Sequence, residues 1–124
     1  MSNNAIELPE VAKTGLLTFY CHVIESQNLN PILTDEKAVE ISRRLNPVLA
    51  NSSSKLLRNL AEGKVSKELV VHITLRAKKY DEYAISFLKE NPDAILVNIG
   101  CGMDSRFHRI DNGRRPALTW ICLR

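Results

Sequence analysis

Asp93-Ala94-Ile95-Leu96-Val97-Asn98-Ile99-Gly100-Cys101-Gly102-Met103-Asp104 is a short apolar run that stops on a Gly-x-Gly. Aliphatic and β-branched residues packed at residues 94–99 predict a strand covered on both faces, as in a parallel sheet, and two glycines then let the backbone turn and approach a ligand. Alone, the Gly-x-Gly fits either a ligand loop or a strand-to-helix turn that merely needs glycine. The third glycine of a dinucleotide fingerprint is replaced by Ser105, which argues against a pyrophosphate site, and no Gly-Lys-Ser/Thr follows to make a P-loop. A nucleoside ligand without a pyrophosphate stays open. Asp104 or Ser105 is expected to cap a short helix through Phe107 and Ile110.

Upstream of this loop the sequence is helical. Residues 14–26 place Leu16, Leu17, Tyr20, Val23 and Ile24 at helical spacing, and Pro31 follows shortly after. A second helix is expected to start at a Thr34 N-cap, to bury Ala38, Ile41 and Leu45, and to stop at Asn46-Pro47. The serine-rich turn at residues 51–54 precedes a short helix with Leu56, Leu57 and Leu60, closing at Gly63. The fourth and longest helix is expected over residues 66–90, ending at Asn91-Pro92.

On this fourth helix Leu69, Ile73, Tyr80, Ala84 and Phe87 fall within one arc at ~100° per residue, and Arg76 projects into it. An unpaired buried guanidinium is strongly disfavoured. Arg76 should therefore meet an anion, form an intramolecular ion pair, snorkel, or lie at the mouth of a cleft. Lys78, Asp81, Glu82 and Lys89 are expected on the solvated surface.

Composition bounds the remaining possibilities. The chain has 124 residues, 44% hydrophobic and 25% charged, and 17 basic against 14 acidic side chains give a net charge of +3. That describes one ordinary globular domain. The basic residues are scattered rather than striped with aromatics, which argues against nucleic acid as a partner. No run is long enough to span a bilayer, and Met1-Ser2-Asn3-Asn4 lacks the features of a signal peptide, so no membrane association and a cytoplasmic location are the expectations. Cys21, Cys101 and Cys122 are odd in number and widely spaced, and are expected as reduced thiols. With His22, His72 and His108 they form no metal-ligand spacing, so no metal is expected.

The segment Val97-Asn98-Ile99-Gly100-Cys101-Gly102-Met103-Asp104-Ser105-Arg106-Phe107-His108-Arg109 resembles the V-N-L-G-x-G-x-D-T-R-F-x-R signature of the leucine carboxyl methyltransferase and polyketide O-methyltransferase family. Thr14-Gly15-Leu16-Leu17, the run from Asn30 through Ala38, and residues 76–81 resemble its N-terminal region. The resemblance implies an α/β class: an N-terminal helical cover plus the first strand and glycine loop of a Rossmann-like methyltransferase sheet, truncated and mostly α in this chain. It implies S-adenosylmethionine as cofactor and an unidentified methyl acceptor, a small molecule or a protein carboxylate. Gly100, Cys101 and Gly102 would approach the cofactor with their backbone, and Arg76 would hold its carboxylate, as a planar bidentate donor can. No residue is assigned as the catalytic base.

After Gly113 the expected acidic segment, often Asp-Leu-Asp-Leu-Pro, is replaced by Arg114-Arg115-Pro116-Ala117-Leu118-Thr119-Trp120-Ile121-Cys122-Leu123-Arg124. One coding of the acidic segment, GAC TTG GAT TTG CCT, spells Thr-Trp-Ile-Cys-Leu when read one base later, which is residues 119–123. The expectations are therefore a frameshift shortly after Gly113, with residues 1–113 as the N-terminal part of a methyltransferase domain and 114–124 as an irregular, non-family tail. Such a strand would lack partners, and the chain would be marginally stable and of doubtful activity alone. The alternative is a non-catalytic helical interaction fragment, or a gene remnant, in which the glycine loop is only a turn.

Overall fold

In a computed structural model, which describes residues 8–113 and 118–121, the chain runs α1 (Glu10–Ser26), α2 (Glu36–Ala50), α3 (Lys55–Ala61), α4 (Lys67–Glu90), β1 (Leu96–Ile99), α5 (Arg106–Ile110) and β2 (Leu118–Ile121). The start at residues 1–4, the Cys122 thiol, and residues 114–117 and 122–124 lie outside the described residues.

α1 is the central element because apolar residues surround it. Leu16, Phe19, Tyr20 and Val23 pack with Ala38 and Leu49 of α2 and Leu57 and Leu60 of α3, while Cys21 joins Val70 and Ile73 of α4 in a second cluster. Burial pushes the Cys21 thiol up to about 11, so it stays protonated. Among the described residues no helix is long and apolar enough to cross a membrane.

Three helix ends follow local chemistry. Ser66 accepts from the Leu69 amide at the start of α4, Asn91 ends it, and Gly63 adopts φ +70 after α3. α2 departs from expectation at both ends. Its N-cap is Asp35, not Thr34, with the carboxylate accepting from Ala38 N. It also continues through Pro47 to Ala50, because burying Leu49, 5% exposed, outweighs the one helical bond that proline forfeits, and Tyr20 Oη donates to Asn46 Oδ1 at 2.6 Å.

The stripe on α4 also differs. Val70, Ile73, Thr74, Ala77, Asp81, Ala84 and Leu88 are the buried residues, an arc rotated by roughly 65° from the expected one at ~100° per residue. Tyr80 and Phe87 are consequently exposed, and Asp81, expected on the surface, is 5% exposed. The buried arc brings small Ala77 and Ala84 to the interior and turns Asp81 towards α5.

β1 and β2 pair in parallel, Leu96 with Leu118 through Ile99 with Ile121. The tail is therefore not irregular throughout, and β1 has a partner within the chain. Coverage on both faces is not met, however: Ile95, Val97 and Ile99, which share one face, are 59%, 46% and 68% exposed.

Two of the three leucines of α3 give a direct test of this packing. Leu60→Ala, at a position 1% exposed, should destabilise the fold by about 2–5 kcal/mol, and Leu56→Ala, 40% exposed, by less than ~1 kcal/mol. Urea unfolding followed by helical circular dichroism measures both.

Candidate functional site

The glycine loop is shaped by its own backbone. Gly100 and Gly102 adopt φ +64 and +50, left-handed conformations costly for other residues, and a Cβ on either would meet nothing within 4 Å. Conformation, not crowding from the protein, requires glycine here. The loop closes on itself, because Asp104 N donates to Cys101 O at 2.8 Å and Asn98 Nδ2 donates to Asp104 Oδ2 at 2.9 Å.

Beyond the loop, α5 is fastened to the helical cover by buried charges. Arg109 Nε and Nη2 donate to the two carboxylate oxygens of Asp81 at 2.6 and 3.1 Å, and Nη1 donates to Asp35 Oδ2 at 2.9 Å. Arg106 Nε donates to Asp81 Oδ1 at 2.8 Å and its Nη1 lies 3.0 Å from Asp104 Oδ2. Asp35 also accepts from Ser105 Oγ and pairs with His22 Nδ1 at 3.0 Å. Burial opposes the charge of Asp35, but hydrogen bonds from His22, Ser105 and Ala38 N and the charge of Arg109 outweigh it and lower its pKa to about 2. Burial likewise opposes the charge of Arg109, and Asp81, Asp35 and Asp104 outweigh it, raising its pKa.

Between α1, α4 and the glycine loop lies a cleft of about 610 Å³. Val11, Gly15, Thr18 and His22 present one face of α1 to it; Ile73, Arg76, Ala77 and Tyr80 come from α4; residues 100–104 and Arg106 form the third wall. All four residues singled out in the sequence, Arg76, Gly100, Cys101 and Gly102, thus line one cleft. Arg76 is exposed at its edge and, among the described residues, has no carboxylate in ion-pair contact. Among the described residues, neither an ion pair nor a buried charge accounts for it. Cys21 and Cys101 are not disulfide-bonded.

Sequence reasoning passed over Asp35, Asp81, Ser105 and His22. Asp35 lies one residue beyond the expected Thr34 cap, and Asp81 was expected on the solvated surface. The one available signal was the pair of arginines, Arg106 and Arg109, inside the loop signature, since two guanidiniums on a short helix need carboxylates from elsewhere.

Comparison with known proteins gives the family. The pattern of the family described as leucine carboxyl methyltransferase matches residues 16–117, past Gly113. The chain belongs to the leucine carboxyl methyltransferase family. It is 31% identical over 106 residues to the tetracenomycin polyketide synthesis O-methyltransferase TcmP of Streptomyces glaucescens, a match covering 86% of this chain and 35% of that protein. It is 27% identical over 116 residues to the S-adenosyl-L-methionine-dependent methyltransferase dpfgK of Gibberella zeae, covering 89% of this chain and 38% of that one. The chain therefore spans little more than a third of the length of these relatives. No solved structure matches it.

The depressed pKa of Asp35 predicts acid sensitivity. A carboxyl that titrates near 2 when folded and near its ordinary 3.8 when unfolded stabilises the fold above about pH 4. That contribution, about 2 kcal/mol, is lost as pH falls towards 2. Urea midpoints measured from pH 5 to pH 2 should fall more steeply for the wild type than for Asp35→Asn.

Proposed function

We propose that this chain supplies the amino-acid-binding side of an S-adenosylmethionine site in an O-methyltransferase. The observation that carries the proposal is Arg76, a cation without an anionic partner among the described residues, facing a left-handed glycine loop across a cleft. A guanidinium offers two parallel N–H donors to a carboxylate, and the cofactor's amino-acid end carries one. Gly100 and Gly102 leave the loop bare of side chains, and the backbone around Cys101 is then free to approach the sugar and thioether portion closely. Gly15, where a Cβ would also meet nothing within 4 Å, leaves the α1 wall similarly open.

The parallel pairing of β1 with β2 and the glycine loop that follows β1 support reading these elements as the opening of a Rossmann-like sheet. When bound, the cofactor supplies an activated methyl group for transfer to a carboxylate or hydroxyl oxygen. The part of this chain in such a transfer is positioning: Arg76 and the loop fix one end of the donor so that its methyl group points to the acceptor. No side chain here is given the role of base. A second reading, a non-catalytic helical interaction fragment, draws support from the bare apolar face of Ile95, Val97 and Ile99.

Calorimetric titration with S-adenosylhomocysteine separates the two. Binding by the wild type is expected, weakened about tenfold to a hundredfold in Arg76→Met by loss of a charge-assisted hydrogen bond and partly restored in Arg76→Lys. Absence of heat at millimolar ligand would favour the interaction fragment.

A further inference from the structure

His22 enters the cleft on the same face of α1 as Gly15 and Thr18, and its two ring nitrogens have different surroundings. Nδ1 faces Asp35 Oδ2 at 3.0 Å. Asp35 is ionised over the ordinary pH range, its pKa being lowered to about 2, and a carboxylate only accepts, so Nδ1 carries the hydrogen. In the neutral ring Nε2 is then a bare acceptor. No described residue hydrogen-bonds to it, and no buried side-chain nitrogen or oxygen lacks a partner, so Nε2 reaches accessible space, which is the cleft.

The carboxylate lining the same cleft is already engaged. Asp104 Oδ2 accepts from Asn98 Nδ2 and is paired with Arg106 Nη1, and Oδ1 accepts from Arg106 N. The cleft thus offers a cation in need of an anion, Arg76, and a neutral nitrogen in need of a donor, His22. An α-amino acid presents the complement: a carboxylate beside an ammonium with three N–H donors.

We propose that His22 Nε2 accepts a hydrogen bond from the α-ammonium of the cofactor's amino-acid end while Arg76 holds its carboxylate, an inference that rests on the S-adenosylmethionine reading above. Protonation of His22 would remove the acceptor and set a positive charge against the ammonium. The titratable, charged and polar groups around His22 are Asp35 at Nδ1, with Ser105 and Arg109 behind it, and those that share its cleft: Arg76 and Tyr80 from α4, and Cys101, Asp104 and Arg106 from the loop side. Binding of the ammonium should therefore weaken as pH falls through the titration of His22.

The test compares S-adenosylhomocysteine with its analogue lacking the α-amino group, 5'-S-(3-carboxypropyl)-5'-thioadenosine, by calorimetry on the full chain across pH. NMR follows the His22 ring. The wild type should prefer S-adenosylhomocysteine by about tenfold or more while His22 is neutral and lose that preference once it is protonated. His22→Gln, which keeps a side-chain acceptor that does not titrate, should retain the preference at every pH; His22→Phe should abolish it. If His22→Phe fails to fold, the wild type and His22→Gln decide. A preference that persists in His22→Phe, or that ignores the titration in the wild type, overturns the role of His22 while Arg76-dependent binding leaves the cofactor reading standing. No binding by the wild type overturns both.

Discussion

Arg109 holds this structure together. Its guanidinium lies between Asp81 in the middle of α4 and Asp35 at the start of α2, and its side chain is only 8% exposed. A charge so placed is tolerated only with partners on every side, and removing one carboxylate from such an arrangement typically costs about 3–5 kcal/mol, because the remaining charge stays buried. The consequence is geometric as much as energetic. α5 begins immediately after the glycine loop, so fixing α5 against α2 and α4 also fixes the loop relative to the helical cover. The same connection holds Gly100 to Gly102 across the cleft from Arg76.

The same carboxylates shape the electrostatics of the cleft. Asp104 lines the cleft and Asp81 lies outside its wall, and both are satisfied by Arg106 and Arg109. Neutralising them inside the network leaves Arg76, among the described residues, as a cation without an ion-pair partner, and it leaves Asp35 to fix the orientation of His22. A structural network and a cleft wall are thus two sides of the same few residues, and the order along the chain, glycine loop and then Arg106 and Arg109, keeps them in register.

How far this could be read in the sequence depended on whether the cause was local. Ser66, Gly63 and Asn91 mark helix ends through interactions within a few residues, and these were legible, as was the glycine loop, where backbone conformation alone demands glycine. Thr34 and Asp35 are both competent caps, and local chemistry does not distinguish them. Asp35 is selected by His22, Ser105 and Arg109, which lie 13, 70 and 74 residues away. The α4 stripe failed for the same reason. Tyr80 and Phe87 look more apolar than Ala77 and Asp81, yet the helix turns its small residues inward and its carboxylate towards two arginines that periodicity cannot see. Arg76 stood out on an arc that is not the buried one, and the structure places it at the edge of the cleft.

The strand that first drew notice is the least supported part of this arrangement. A two-stranded parallel sheet does not stand by itself, and the face carrying Ile95, Val97 and Ile99 is bare. The loop after it is nevertheless well defined. Asn98 reaches across it to Asp104, Asp104 accepts from the first amide of α5, and Arg106 joins Asp104 to Asp81. The loop is therefore anchored from its C-terminal side, through α5 to the helices, and depends little on how β1 is covered. That division accounts for the loop signature extending past the glycines to Arg109: the glycines shape the turn, and the aspartate and arginines hold it in place.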